Sequence, residues 1–208
     1  MSQLIACKNA NGIVLATDGM ALDFDTQGNM RQTEVKPLIQ LGSDSAILAG
    51  GVTDSIEICH SLQAFLQEEN ISDIEDIYTA ALPFLNSEYE SYMRKECEFL
   101  PVDPVHHVYF ILAGYSRKEQ RSPFKLYLLW TKKKLPQIDG DEIGTAYSIP
   151  RRMGLEYGLG QLSRDNAPLA DILERIQSNL EKLAHKESDE VAPPFYYARI
   201  TGEGFRAG

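Results

Sequence analysis

No run of apolar residues in this 208-residue chain approaches the roughly 20 that a membrane-spanning helix needs. The first residues also lack the basic-then-apolar order of a signal peptide. The expectation is therefore a cytoplasmic protein with no membrane partner. Cysteine is scarce: Cys7, Cys59 and Cys97 are odd in number, scattered, and form no CxxC pair. That argues against a disulfide framework and a structural zinc site, and leaves them as buried thiols. The four histidines, His60, His106, His107 and His185, show no HExxH or paired-ligand spacing, so no metal is expected. There is no GxxxxGK[ST] loop and no GxGxxG turn after a strand, and no cofactor is expected. Basic residues are outnumbered, 20 against 30 acidic, and the net charge of −10 opposes a phosphate backbone, so nucleic acid is set aside as a partner. The basic run Lys132-Lys133-Lys134 lies between two strand-like segments and reads as a solvated hairpin end.

What the chain has is an ordinary globular composition, 43% hydrophobic and 24% charged, in a length that suits one domain over residues 1–208. Leu4-Ile5-Ala6-Cys7 and Ile13-Val14-Leu15-Ala16, joined through Asn9-Ala10-Asn11-Gly12, read as a hairpin. A polar loop around Asp23 to Gln32 leads to strands at 37–41 and 45–49, which stop at Gly50-Gly51. The period then changes. Ile58, Cys59, Leu62, Phe65 and Leu66 fall on one helical stripe. A second helix opens with Ser72 and Glu75 in capping-box spacing and carries Ile74, Ile77, Ala81 and Leu85, with a kink expected at Pro83. Strands return at 108–113, 124–130 and in a short piece near Ile143. A helix follows from about Ser148, with Gly154 and Gly158 as a close-packing strip, and another behind Asn166 as its cap. A last strand covers 195–200. Strands, two helices, strands, two helices, strand is not the alternation of a doubly wound parallel sheet. The expected class is α+β, two antiparallel sheets flanked by helix pairs in a four-layer αββα sandwich.

Four features of the first strand block carry chemistry. Ser2 follows the initiator methionine, and a small second residue favours removal of Met1. Ser2 would then hold a hydroxyl nucleophile and a free α-amine on one residue. While Met1 is attached, that nitrogen is an amide and cannot act as a base. A serine hydroxyl needs a base, and an α-amine of pKa about 7.7 to 8.0 needs only a modest downward shift to be neutral at physiological pH. Lys36, a nearby cation, supplies that shift, and Asp18 pairs with the lysine and keeps its charge compensated. Gly50 offers an unobstructed backbone N–H for the oxyanion formed when an amide carbonyl is attacked. Taken singly, these are a chain terminus, a strand-end acid, a surface amine and a sheet-to-helix turn.

Together the segments Leu4-Ile5-Ala6-Cys7-Lys8, Asn11-Gly12-Ile13-Val14-Leu15-Ala16-Thr17-Asp18, Val35-Lys36-Pro37-Leu38-Ile39 and Leu48-Ala49-Gly50-Gly51 resemble the opening of a proteasome β-type subunit, an N-terminal-nucleophile hydrolase. Phe110-Ile111-Leu112-Ala113-Gly114, Lys125-Leu126-Tyr127 and Ile143-Gly144-Thr145 continue the likeness in family order. No helix precedes the first strand, unlike the α-type subunits. The resemblance implies Ser2 as the nucleophile, Asp18, Lys36 and Gly50 as its supporting aspartate, lysine and oxyanion glycine, and Thr145 and Asp189 as further supports. It also implies Ala21 and Leu48 as lining of an apolar substrate pocket. It further implies a homo-oligomeric ring, unfolded polypeptide as substrate, and an ATP-dependent unfoldase as partner. Two positions depart from the family: Met20 stands where an arginine is usual, and Ala192-Pro193-Pro194 where serine-glycine-glycine is usual. The alternatives are accordingly a non-catalytic ring subunit of the same fold, or an acylase acting on small amides.

Overall fold

The computed structural model describes residues 2–24, 30–96, 106–132 and 137–208. Cys97, Lys133 and Lys134 lie outside the described residues. Strands β1 (Leu4–Asn9) and β2 (Gly12–Asp18) form the expected opening hairpin, in register from Leu4 opposite Thr17 to Asn9 opposite Gly12. The segment expected as a loop around 23–32 instead carries a second hairpin, β3 (Met20–Phe24) paired with β4 (Met30–Glu34). These strands form a separate two-stranded sheet, and the polar residues between Asp23 and Glu34 are why the segment reads as loop. Strands β5 (Leu38–Gln40) and β6 (Ser45–Gly51) follow, then helices α1 (Ser55–Glu68) and α2 (Ile74–Glu96). The cap of α2 is Asp73, whose Oδ1 accepts the Glu75 amide at 3.1 Å, rather than Ser72, and the helix continues through Pro83.

The chain returns through β7 (Val108–Tyr115), β8 (Phe124–Thr131), β9 (Ile138–Glu142) and β10 (Ala146–Ile149). The short piece near Ile143 is thus two strands split by a turn. Helix α3 (Met153–Arg164) starts five residues later than Ser148, because Pro150 cannot continue a helix and the Ser148 hydroxyl accepts the Arg152 amide at 2.8 Å. Asn166, at φ 50°, closes the end of α3 instead of capping α4 (Leu169–Lys186), whose N-cap is Pro168. Strands β11 (Phe195–Thr201) and β12 (Gly204–Ala207) complete the chain. Among the described residues this is a mixed α+β fold of four helices and three antiparallel sheets. The larger sheets run β10-β1-β2-β11-β12 and β5-β6-β7-β8-β9.

Alternation along the strands sorts the core into three clusters. Ile47, Ala49, Phe110, Leu112 and Leu129 meet Leu62, Ile77, Leu85 and Tyr89 of α1 and α2. Leu4, Ala6, Ile13 and Leu15 meet Ala46, Leu48, Ile111 and Leu126, joining the two five-stranded sheets. Ile5, Cys7, Val14 and Ala16 point the other way, onto Leu155, Leu159, Ile172 and Ile176 of α3 and α4. Cys7 and Cys59 are buried thiols, and burial pushes Cys7 up to about 12. Of the expected Gly154–Gly158 strip only Gly158 meets a neighbour, Arg175 of α4 3.6 Å from where a Cβ would stand, whereas nothing lies within 4 Å of the position a Gly154 side chain would take. Its neighbours Met153 and Tyr157 are the large apolar side chains most exposed among the described residues.

Where β6 turns into α1, Gly51 has φ +96°, and a Cβ there would fall 2.0 Å from the His107 carbonyl oxygen. Gly51→Ala is expected to cost at least about 2 kcal/mol from strain and clash, read as a lowered denaturation midpoint in urea. Gly154→Ala, with open space and helical backbone, is expected to gain no more than about 1 kcal/mol.

Candidate active site

Backbone hydrogen bonds draw the ends of several strands to one place. The Gln3 amide, directly across from the end of β2, donates to Asp18 Oδ1 at 2.6 Å. The Ser2 hydroxyl donates to the Met20 carbonyl at 3.2 Å, and Ser2 is 7% exposed. The Gly19 carbonyl accepts the Val35 amide and the Pro37 carbonyl accepts the Ala49 amide, each at 2.9 Å. The backbone of Lys36 is thereby pinned between the neighbour of Asp18 and the neighbour of Gly50. Gly50 packs its α-carbon against Leu4, with the Leu4 Cδ1 3.0 Å from where a Cβ would stand. Ser2, Asp18, Lys36 and Gly50, separated by up to 48 positions in the chain, therefore share one end of the two sheets.

Asp18 is fully buried. Burial pushes its carboxyl up to about 6, against the opposing pull of the Gln3 and Ala192 amides. Oδ2 has no hydrogen-bond partner among the described residues. A buried carboxyl with one unsatisfied oxygen is a strong acceptor for any donor or cation brought beside it. The α-nitrogen of Ser2, one residue from the amide that Asp18 already holds, is the nearest main-chain group along β1 that changes its chemistry when Met1 is removed.

The other expected residues divide. Ala21 follows Met20 in β3 and is half-buried beside the serine's acceptor. Lys36 is exposed, and among the described residues it forms no ion pair with Asp18, so the expected pairing is not made. Leu48 is fully buried in the cluster between the sheets and presents no surface to a ligand. Thr145 is exposed, and its carbonyl accepts the Lys8 amide at 2.8 Å. Lys8 lies six residues along β1 from Ser2, about 20 Å at the rise of an extended strand. The antiparallel register of β10 brings Ile149 opposite Leu4, so Ile149 and Pro150, rather than Thr145, flank the serine end. Asp189 sits exposed in the turn after α4. The same segment nevertheless reaches the site through its backbone, for the Pro194 carbonyl accepts the Gly19 amide at 2.6 Å. The Ala192-Pro193-Pro194 departure thus contributes an amide and a carbonyl where side-chain hydroxyls are lacking.

Sequence reasoning missed the polar cluster behind β1. Gln3 Nε2 donates to the carbonyls of Ile149 at 3.1 Å and Pro150 at 3.2 Å, while its Oε1 accepts Arg152 Nε at 2.8 Å. Arg152 in turn holds Glu187 through both terminal nitrogens, and this contact holds the Glu187 carboxyl below its usual range. The signal available was Gln3 itself, a polar residue at a position whose alternating partners, Ile5 and Cys7, face the helices. Among the described residues no group of three His, Cys, Asp or Glu side chains could hold a metal ion. No protein-family model matches the chain, and no curated protein matches it in sequence.

Proposed function

We propose that this chain is an N-terminal-nucleophile hydrolase of the proteasome β-subunit type, cleaving peptide bonds from Ser2 once Met1 has been removed. The packing of two sheets face to face, with α1 and α2 outside one and α3 and α4 outside the other, supports reading the fold as a four-layer αββα sandwich. The observation that carries the function is the convergence of the Ser2 hydroxyl, the buried and half-satisfied Asp18 carboxyl, and the Gly50-Gly51 turn at one sheet end.

The neutral α-amine of Ser2 takes the proton from its own hydroxyl as Oγ bonds to the substrate carbonyl carbon. The carbonyl π pair moves onto oxygen, where an amide of the Gly50-Gly51 turn is the available donor. The ammonium then protonates the leaving amine as the C–N bond breaks, leaving an ester on Ser2. Water, deprotonated by the same amine, releases the acid. Asp18 stabilises the transient ammonium, and Lys36 at the mouth opposes its premature protonation. The open face of α3 around Met153, Gly154 and Tyr157 supports assembly into a homo-oligomeric ring. In that setting the substrate is unfolded polypeptide, delivered in the cytoplasm by an ATP-dependent unfoldase.

A second reading, a non-catalytic ring subunit, is favoured by the exposed Lys36 and by the distance of Thr145 from Ser2. An acylating active-site probe separates the two. On protein beginning at Ser2, the hydrolase reading expects stoichiometric mass gain on the N-terminal peptide and none in Ser2→Ala. Absence of labelling in Met1-free protein, or equal labelling of the variant, favours the structural subunit.

A further inference from the structure

A cavity of about 500 Å³ opens where the β10 edge of one sheet faces β7, β8 and β9 of the other. Its lining includes Tyr109, Trp130, Tyr147, Ile149, Asp141 and Arg151. Tyr109 and Tyr147 come from opposite sheets, and burial, with a smaller contribution from Tyr147, holds the Tyr109 hydroxyl above the usual phenol range. Trp130 is the chain's single tryptophan.

The charges at the rim are not equivalent. Arg151 is committed: Nε and Nη2 grip Glu156 at 2.8 and 2.6 Å, and the guanidinium lies 4.3 Å over the Tyr147 ring. It has little capacity left for an anion. The acids of β9 differ from one another. Asp139 has Lys132 at 3.2 Å and Glu142 has Lys8 at 3.1 Å, but Asp141 forms no ion pair among the described residues. Its Oδ1 accepts the Glu142 amide at 2.9 Å, a bond that fixes the carboxylate without neutralising it. A carboxylate with no ion pair among the described residues, in one cavity with Tyr109 and Trp130 and with a tyrosine, Tyr147, that already holds one guanidinium over its ring, attracts a flat or compact cation on an apolar stem, through charge and through the ring quadrupoles together. A net charge of −10 on the chain adds to that field.

We propose that this cavity binds an organic cation, a guanidinium or alkylammonium group carried on a short aliphatic stem. The cavity adjoins the candidate active site, since Ile149 and Pro150 flank the serine end and Tyr109 lies opposite Gly50, but cation binding stands whether or not Ser2 is a nucleophile. Such a group occurs in the basic side chains of peptides and in free amines.

Trp130 emission in the full chain reports binding directly. The probes are butylguanidinium and its neutral near-isostere butylurea, with N-acetyltryptophanamide as the control for collisional quenching. The expected result is a saturable change with butylguanidinium, at least tenfold weaker binding of butylurea, and at least fivefold weakening of butylguanidinium by Asp141→Asn. Equal binding of the two probes overturns the proposal and leaves an apolar pocket. So does the absence of any saturable change. Should the variant fail to fold, the comparison of the two probes on the unaltered chain still decides. An arginine residue within an acetylated, amidated tripeptide, binding tenfold more tightly than butylguanidinium, identifies a peptide side chain as the occupant; weaker binding identifies free amines.

Discussion

Ser2→Ala, in protein beginning at residue 2, is expected to lower peptide hydrolysis at least 10³-fold, about 4 kcal/mol of transition-state stabilisation, in steady-state assays. The alanine keeps the terminal amine and the strand. What it removes is the one oxygen that bonds to the carbonyl carbon, so KM changes little while kcat falls. Ser2→Thr retains the hydroxyl and the amine and is expected to keep measurable turnover, which a merely structural role for the side chain does not require. A Ser2→Ala loss below tenfold would place the nucleophile elsewhere.

The second large effect is a pH dependence of stability that belongs to Asp18. Its folded pKa is about 6 against an ordinary value of 3.8. A carboxyl raised on folding favours the native state while both forms are protonated. That contribution is full below about pH 4 and is lost as the pH rises through about 6, amounting to about 3 kcal/mol. Asp18→Asn preserves an oxygen acceptor for the Gln3 amide but cannot ionise. In the chain that keeps Met1, the stability difference between the parent and this variant is therefore expected to shift by about 3 kcal/mol between pH 3 and pH 7, with the parent losing, as read by urea denaturation. In Met1-free protein an ammonium on Ser2, one residue from the amide that Asp18 Oδ1 accepts, is expected to pull the carboxyl pKa down, so that the shift shrinks or reverses. Identical profiles in the two forms would mean that the Ser2 nitrogen does not act on Asp18.

The opening hairpin was legible because its continuous apolar runs match burial on both faces, and α1 because its 3.6-residue stripe matches the one face it buries. Ser2, Asp18 and Gly50 were legible for a different reason: each ends or precedes a strand, and strand ends converge when two sheets stack. The failures are local. Thr145 comes to the site only through the family resemblance, but four residues of β10 intervene, and antiparallel pairing carries that turn to the Lys8 end of β1. The β3–β4 hairpin was invisible because the segment from Asp23 to Glu34 is mostly polar and the two strands pair only with each other. Lys36 illustrates a limit of a different kind. Its backbone position follows from strand order, whereas the direction of a long cationic side chain depends on which charges it finds, and Asp18 takes its hydrogen bond from a backbone amide instead. The Gln3–Arg152–Glu187 cluster joins residues up to 184 positions apart, and no local pattern announces a partner at that separation.

Two preparations of one sequence, verified by intact mass as retaining or lacking Met1, and assayed side by side on a fluorogenic peptide, bear most directly on whether the Ser2 amine is the base. The expected result is turnover confined to the Met1-free form, absent when its new terminus is acetylated. Comparable turnover by the form that still carries Met1, or none by either, would contradict it.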